Sequence, residues 1–187
     1  MTPETRVRMR AVVRSLQCGG VVACPTEAVW GLSCDPDNPA AVQRLLNLKE
    51  RPVSKGLILV AAQESQVAAL LAKLSAAQRS KLSLSWPGPT TWLLPHRGLV
   101  PAWVHGGSDR VAVRVTAHPV MAALCRAWGG PLVSTSANRA GCQPARAAFQ
   151  VQRYFAGELD GLVPGAVGGD RRPSVIRDLL DDRILRS

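Results

Sequence analysis

Two short polar segments of this chain combine residue types that handle phosphate. Lys49-Glu50-Arg51-Pro52 sets two cations two residues apart, and the proline stops a helix from continuing past them. Ser134-Thr135-Ser136-Ala137-Asn138 follows the apolar stretch Pro131-Leu132-Val133 and offers hydroxyls and an amide at a strand end. Cations at a helix end facing hydroxyl donors at a strand end make a site for a polyphosphate. Arg114 adds a further guanidinium. By themselves, Lys49, Arg51, Arg114, Ser134, Ser136 and Asn138 describe an anion site and name no reaction. The Ser134–Asn138 run reads equally well as a hydrogen-bonded strand-to-turn passage in which Asn138 tolerates left-handed backbone.

The elements that must carry these residues follow from pattern. Thr2-Pro3-Glu4 reads as cap, first-turn proline and first-turn acid. The helix it opens has an apolar stripe of Val7, Ala11, Val12 and Leu16 and ends at Gly19-Gly20. Residues 21–24 and 30–34 read as strands. Asn38 caps a helix with Pro39 at its first position, and Val42, Leu45 and Leu46 form its buried face, so Lys49 and Arg51 fall at its C-terminal end. Residues 57–61 form a continuously apolar, buried strand. A helical segment through Leu70, Leu71 and Leu74 precedes a capping box at Ser75–Gln78. Trp86-Pro87-Gly88-Pro89 is a rigid turn before a strand at 90–94. In Arg110–Val115 the valines share one face and Arg110 and Arg114 the other. That strand suits either a sheet edge with a solvated face or a sheet face aimed into a basic cleft. A helix over 119–128, the strand Leu132-Val133, a helix over 145–156 and strands at 174–176 and 183–186 complete the chain. Alternating strands and helices without repeats or linkers predict a single α/β layered domain over 1–187, with a twisted mixed β-sheet flanked by helices.

Composition narrows the function. The 187 residues, 47% hydrophobic, are enough for a sizeable core. No run approaches the roughly 18 apolar residues of a membrane span, and the N-terminus lacks the apolar region of a signal peptide, so a cytoplasmic protein is expected. Five cysteines without a C-x-x-C pair argue against zinc and disulfide frameworks. Cys18 and Cys24 are expected as small buried hydrophobes. The net charge of +10 attracts polyanions in general. Walker, dinucleotide-binding and nucleophile-elbow signatures are all absent.

Six segments together resemble the YrdC-like domain, the family of threonylcarbamoyl-adenylate synthases, in its short bacterial form. They are Pro25–Leu32, Leu48–Pro52, Trp86–Thr91, Ala112–Val115, Ser134–Asn138 and Pro173–Ile176. The resemblance implies a mixed sheet with a concave, positively charged face. It also implies a reaction in which L-threonine and bicarbonate or CO2 give an N-carboxy intermediate. The carboxylate of that intermediate attacks the α-phosphate of ATP, diphosphate leaves, and threonylcarbamoyl-AMP remains. A separate partner complex then transfers the group to the adenosine next to the anticodon of tRNA. The nucleophile is already a carboxylate, so the chemistry asks for in-line positioning and charge neutralisation rather than a strong base.

By the same resemblance, Lys49 and Arg51 are the catalytic residues and hold the reacting phosphates or the threonine carboxylate, either of which suits the planar fork of Arg. Thr26, Trp30, Ser134 and Ser174 meet threonine, and Lys55, Arg114, Ser136, Asn138 and Arg186 join Lys49 and Arg51 around ATP. Mg2+ is expected to come with ATP, with no ligands from protein side chains. Trp30 stands where relatives have Tyr or Phe, expected to preserve a stacking wall. Lys55 stands where longer relatives have Asn, and Val60 where they have His. The other reading of the basic charge is a non-catalytic RNA-binding module in which Lys49, Arg51, Arg110 and Arg114 grip phosphates; direct contact with tRNA is compatible with both.

Overall fold

The computed structural model describes residues 3–170 and 174–186. The expected cap Thr2 and the motif residue Pro173 lie outside them.

Among the described residues, nine strands form one mixed sheet in the order β7-β1-β2-β6-β3-β5-β4-β8-β9. Helix α1 (Pro3–Gln17) leads into β1 (Val22–Pro25), which turns back antiparallel as β2 (Trp30–Ser33). Helix α2 (Pro39–Lys49) begins where the Asn38 side chain accepts a hydrogen bond from the Ala41 amide at 3.0 Å, and it stops at Glu50, whose backbone is left-handed. A short 3-10 turn, Val53–Lys55, precedes β3 (Ile58–Ala61). Helices α3 (Ala68–Leu71) and α4 (Ala76–Ser83) follow, α4 opened by the predicted Ser75–Gln78 capping box. Strand β4 (Thr90–Pro95), helix α5 (Ala102–His105), strand β5 (Arg110–Val115), helix α6 (Pro119–Trp128) and strand β6 (Leu132–Ser136) come next. Helix α7 (Ala148–Phe155) and strands β7 (Gly161–Leu162), β8 (Val175–Asp178) and β9 (Ile184–Arg186) close the fold.

Several expectations are corrected. The buried stripe of α1 is Met9, Val12 and Leu16, while Val7 and Ala11 face solvent. Cys18 is exposed; Cys24 is buried as expected. Helix α7 starts at Ala148 rather than 145, because the Ala145 amide donates to Ala137 O and its carbonyl accepts from the Trp30 amide, tying residue 145 to strand ends. Strand β5 is no edge: it lies between β3, to which it runs parallel, and antiparallel β4. Strand β6 runs on through Ser136, so Ser134 and Ser136 are strand residues sharing a face.

Register divides the sheet into two faces. Ser134, Ile58, Ala112 and Leu93 are cross-strand neighbours in one row, and Leu132, Val60 and Arg114 form the next. One part of this face is covered by α1 and α6, with Val22, Cys24, Val60, Leu132, Met121 and Leu124 packed between. The rest is left open as a concavity. The opposite face carries the larger core, including Leu59, Trp92, Val111, Val113 and Val133.

Candidate active site

The open part of the sheet face is a cavity of about 420 Å³, floored by β2 to β6 and walled by the 26–29 loop, the 51–57 segment, α5, β8 and β9. That volume suits a small-molecule ligand. Gly31 helps to keep it open, since a Cβ there would lie 3.3 Å from Ser134 Oγ and 3.5 Å from Thr26 Cγ2.

Five cations line the cavity: Arg51, Lys55, Arg110, Arg114 and Arg186. Arg51 leaves the C-terminal end of α2 and donates from Nη2 to the carbonyls of Lys55 (3.1 Å) and Gly56 (2.9 Å). Its buried Nε has no protein partner. Burial lowers its pKa from the ordinary value. Arg186 folds from β9 onto Ser174, donating to its carbonyl from Nε (3.1 Å) and Nη2 (2.7 Å) and to its Oγ from Nη2 (3.0 Å). Its pKa is lowered by burial first and then by the charges of Arg114 and Arg51. Arg186 is therefore close enough to both guanidiniums to feel their charge, and a bound anion would relieve that repulsion. Arg110 is committed elsewhere, paired with the fully buried carboxylate of Asp178.

Arg114 projects from β5 and is only 6% exposed. Its Nη2 stands 3.5 Å from Glu27 Oε2, while its Nε has no hydrogen-bond partner. Glu27 Oε1 accepts from Thr116 Oγ1 at 2.5 Å, and the same hydroxyl accepts from the His118 amide at 3.1 Å. His118 caps α6 through Nδ1, which accepts from the Met121 amide (3.5 Å), and donates from Nε2 to Ala166 O (3.1 Å). Burial pushes its pKa down, which suits this neutral form.

Of the residues expected around ATP and threonine, Thr26, Arg51, Lys55, Arg114, Ser134, Ser136, Ser174 and Arg186 all border this cavity. Thr26 turns its hydroxyl into its own loop, donating to Val29 O at 2.7 Å, so only its oxygen lone pairs remain for a ligand. Ser174 Oγ accepts from Thr91 Oγ1 at 2.9 Å. Lys49 and Asn138 stand behind the wall. The Lys49 ammonium, on a residue 5% exposed, donates to the carbonyls of Ser136 and Asn138 (2.9 Å to the latter). Burial, and then the Arg51 charge, lower its pKa from 10.5 to about 8. Asn138 Oδ1 accepts from Ser136 Oγ at 2.6 Å, and its Nδ2 donates to Arg139 O and Cys142 O. Both residues thus fix the backbone that presents Ser136. The Asn138 backbone is not left-handed.

Trp30 departs from expectation. Gly31 faces the cavity, so strand alternation sends the Trp30 ring with Leu32 into the larger core, where Trp30 is 1% exposed. Trp30 is still among the residues that line the cavity, but at that exposure its ring offers no open face for a ligand to stack on. Val60 is likewise fully buried against α6 and gives the cavity no polar group. Sequence reasoning missed Glu27 and His105. Glu27 was visible as the one acid in an otherwise neutral motif, Pro25–Leu32. Nothing signalled His105, which stacks on His96 at a ring separation of 4.0 Å beside the cavity.

Residues 14–187 match the Sua5/YciO/YrdC family model, described as "Telomere recombination". The chain belongs to the Sua5/YciO/YrdC family. A threonylcarbamoyl-AMP synthase of Halorhodospira halophila is 57% identical over 177 residues, covering 94% of this chain and 93% of that one. The P. abyssi Sua5 structure complexed with L-threonine superposes with a TM-score of 0.87 at 30% identity, over 94% of this chain and 52% of that one. This chain therefore spans about half of that Sua5. E. coli YciO, 22% identical, shares the fold with a TM-score of 0.85 over all of this chain and 91% of that one.

The RNA-module reading gives way on geometry. Lys49 and Arg114 are 5% and 6% exposed and Arg110 is paired with Asp178, so a nucleic-acid backbone cannot lie across them. Among the described residues lining the cavity the aromatic rings are those of Trp30, which is 1% exposed, and His105, which is stacked on His96, too few for the stacking platform that such modules use.

Proposed function

We propose that this protein is a threonylcarbamoyl-AMP synthase. It converts L-threonine, bicarbonate or CO2, and ATP into threonylcarbamoyl-adenylate and diphosphate, with residues 1–187 working as one domain. The observation that carries this reading is the cavity on the open sheet face, lined by Arg51, Lys55, Arg114 and Arg186 together with Ser134 and Ser136, in a chain that matches curated synthases at 57% and 54% identity over nearly its full length.

In this reading the triphosphate lies across Arg51, Lys55, Ser136 and Arg186, and Arg114 stands where the two substrates meet. Thr26, Ser134 and Ser174 enclose threonine. Lys49 and Asn138 act from behind, holding the Ser136 turn while Lys49 adds its charge. One charge pair at about 4 Å through an effective dielectric near 20 contributes on the order of 4 kcal/mol. Two or three cations therefore supply much of the stabilisation that phosphoryl chemistry needs. The cavity does not fit a protein-held Mg2+. Among the described residues lining it the one carboxylate is Glu27, which accepts from Thr116 and lies 3.5 Å from Arg114, and the described residues contain no group of three or more metal-ligating side chains. Mg2+ would enter on the phosphates of ATP.

The product serves threonylcarbamoylation of the adenosine next to the anticodon of tRNA. Handover to a separate transferase complex, direct contact with tRNA and a cytoplasmic location belong to the same proposal. None of the described helices is long and apolar enough to cross a membrane. Diphosphate release from ATP by the purified protein tests the reading. It should require both threonine and bicarbonate, and release undiminished when either is omitted would contradict it.

A further inference from the structure

Away from the cavity, helix α1 turns a row of cations to solvent. Arg6, Arg10 and Arg14 recur at every fourth residue and so share one exposed face. Arg126 stands exposed on α6, next to Ala127. None of these four guanidiniums has an ion-pair partner among the described residues, and residues 5–17 and 119–128 contain no acid. Elsewhere on the surface Arg44, Lys81 and Arg139 each face a carboxylate. Charge alone says only that the α1 face attracts anions.

The surface beside these cations is apolar. A groove of about 260 Å³ where α1 meets α6 is lined by Met9, Arg10, Val13, Arg14 and Ala127, with no carboxylate among them. Met9 and Val13 belong to the core beneath, and Ala127 is exposed and too small to close the space. Val7, 65% exposed three residues before Arg10, extends the apolar surface along α1. Two packed helices present an outer groove into which a third can lay its ridges. The 15 residues of α1 span about 22 Å, room for a partner helix of about four turns. A phosphate backbone would use the guanidiniums but gain nothing from the apolar floor, and no aromatic ring lines the groove for a base to stack on. An amphipathic helix with an acidic rim uses both features.

We propose that the α1–α6 groove is a docking surface for a partner protein, which lays an acidic amphipathic helix along α1. The apolar ridge of that helix fills the space above Met9, Val13 and Ala127, and its carboxylates meet Arg6, Arg10 and Arg14. The groove lies on the same side of the sheet as the cavity, because α1 and α6 cover the other part of that face. It shares no residue with the cavity, so the proposal does not depend on the chemistry carried out there.

Fluorescence anisotropy tests this with a labelled synthetic helix that carries leucine at i, i+3, i+4 and i+7 and glutamate along both flanks. The comparison probes are the same peptide with lysine for glutamate, tRNA, and vesicles of phosphatidylglycerol. The wild type should bind the acidic peptide saturably and the lysine peptide not at all, and added salt should weaken the acidic complex. Arg10→Glu combined with Arg14→Glu should weaken it roughly 10- to 100-fold, since each reversal replaces an attraction by a repulsion. Ala127→Gln, which fills the groove with a polar side chain at unchanged charge, should weaken it about three- to tenfold. ATP binding should be the same in every variant, which reports that each one folds. A wild type that does not bind the acidic peptide, or an affinity that survives the double reversal or Ala127→Gln, would overturn the proposal. Should the double reversal not fold, Ala127→Gln and the lysine peptide decide, since equal binding of the two peptides contradicts the proposal. So does tighter binding of tRNA or vesicles that is lost in the double reversal and unaffected by Ala127→Gln, because that result gives the face to a phosphate polyanion.

Discussion

Lys49 links the geometry of the Ser136 turn to a quantity that calorimetry reads directly. With its pKa lowered to about 8 by burial and by Arg51, roughly one Lys49 in ten is protonated at pH 9 in the free protein. Its ammonium holds the carbonyl of Ser136, so a phosphate seated on the Ser136 hydroxyl would stand near it, at a separation on the order of 6 Å. Through an effective dielectric near 20, one phosphate charge at that distance favours the ammonium by roughly 3 kcal/mol, or about two pKa units. Binding of ATP therefore raises the Lys49 pKa again and, for a rise of about two units, draws in ~0.8 proton at pH 9. Titrations at pH 9 in two buffers of different ionisation enthalpy give the number of protons taken up. The wild type should take up ~0.8 and Lys49→Met close to none. ATP binding with no uptake, or with the same uptake in Lys49→Met, would refute the placement of phosphate against this turn.

Three further outcomes follow from the same packing. Arg51→Ala should lose roughly 10²–10³-fold in rate, as when one preorganised donor is removed. Its stability cost should stay at about 1–2 kcal/mol, because the side chain gives up only two bonds to backbone carbonyls; turnover kinetics beside thermal melts separate the two effects. For stability against pH, the folded pKa of Lys49 lies below the 10.5 of the unfolded chain, so the unfolded state binds more protons between about 8 and 10.5. The Lys49 contribution to stability therefore rises with pH across that window, and denaturant melts of wild type minus Lys49→Met should show a positive slope there, whereas a flat difference would remove the buried ammonium from the account. Among the thiols, Cys18 and Cys142 are exposed, while burial raises Cys24 and pushes Cys34 and Cys125 up to about 12. A disulfide reagent at pH 8 should label two thiols in the native protein and five after unfolding, and prompt labelling of a third would contradict the core packing.

Local signals carried much of the fold. Asn38 before Pro39 and the Ser75–Gln78 box each encode a helix start within four residues, and both caps form. The alternation of Arg110–Val115 encoded which side chains share a face. It could not say whether that strand was central, because partners β3 and β4 are chosen by distant residues. The two-residue strand β7 had no pattern to read and exists through its pairing with β1. In α1, the spacing of Val7 and Ala11 is as helical as that of Met9, Val12 and Leu16, and only packing against α6 selects the second set.

The same division holds in the site. Arg51, Ser134 and Ser136 were legible because cations at a helix end and hydroxyls along a strand are local patterns. The orientation of Trp30 was not, since it depends on Gly31 facing Ser134 across the sheet. Nor was the Glu27–Arg114 pair, which joins two segments far apart in sequence. Lys49 was found for its charge, yet its contacts with the carbonyls of Ser136 and Asn138 depend on α2 ending beneath β6.

The central claim is that this cavity joins a carboxylated threonine to the α-phosphorus of ATP. Incubation of the purified protein with L-threonine, ATP and 13C-bicarbonate, followed by mass spectrometry, tests it most directly. The account predicts threonylcarbamoyl-AMP carrying one 13C in its carbamoyl group, formed in step with diphosphate and lost in Arg51→Ala. Diphosphate released without a 13C-labelled adenylate, from a protein shown to bind both substrates, would contradict it.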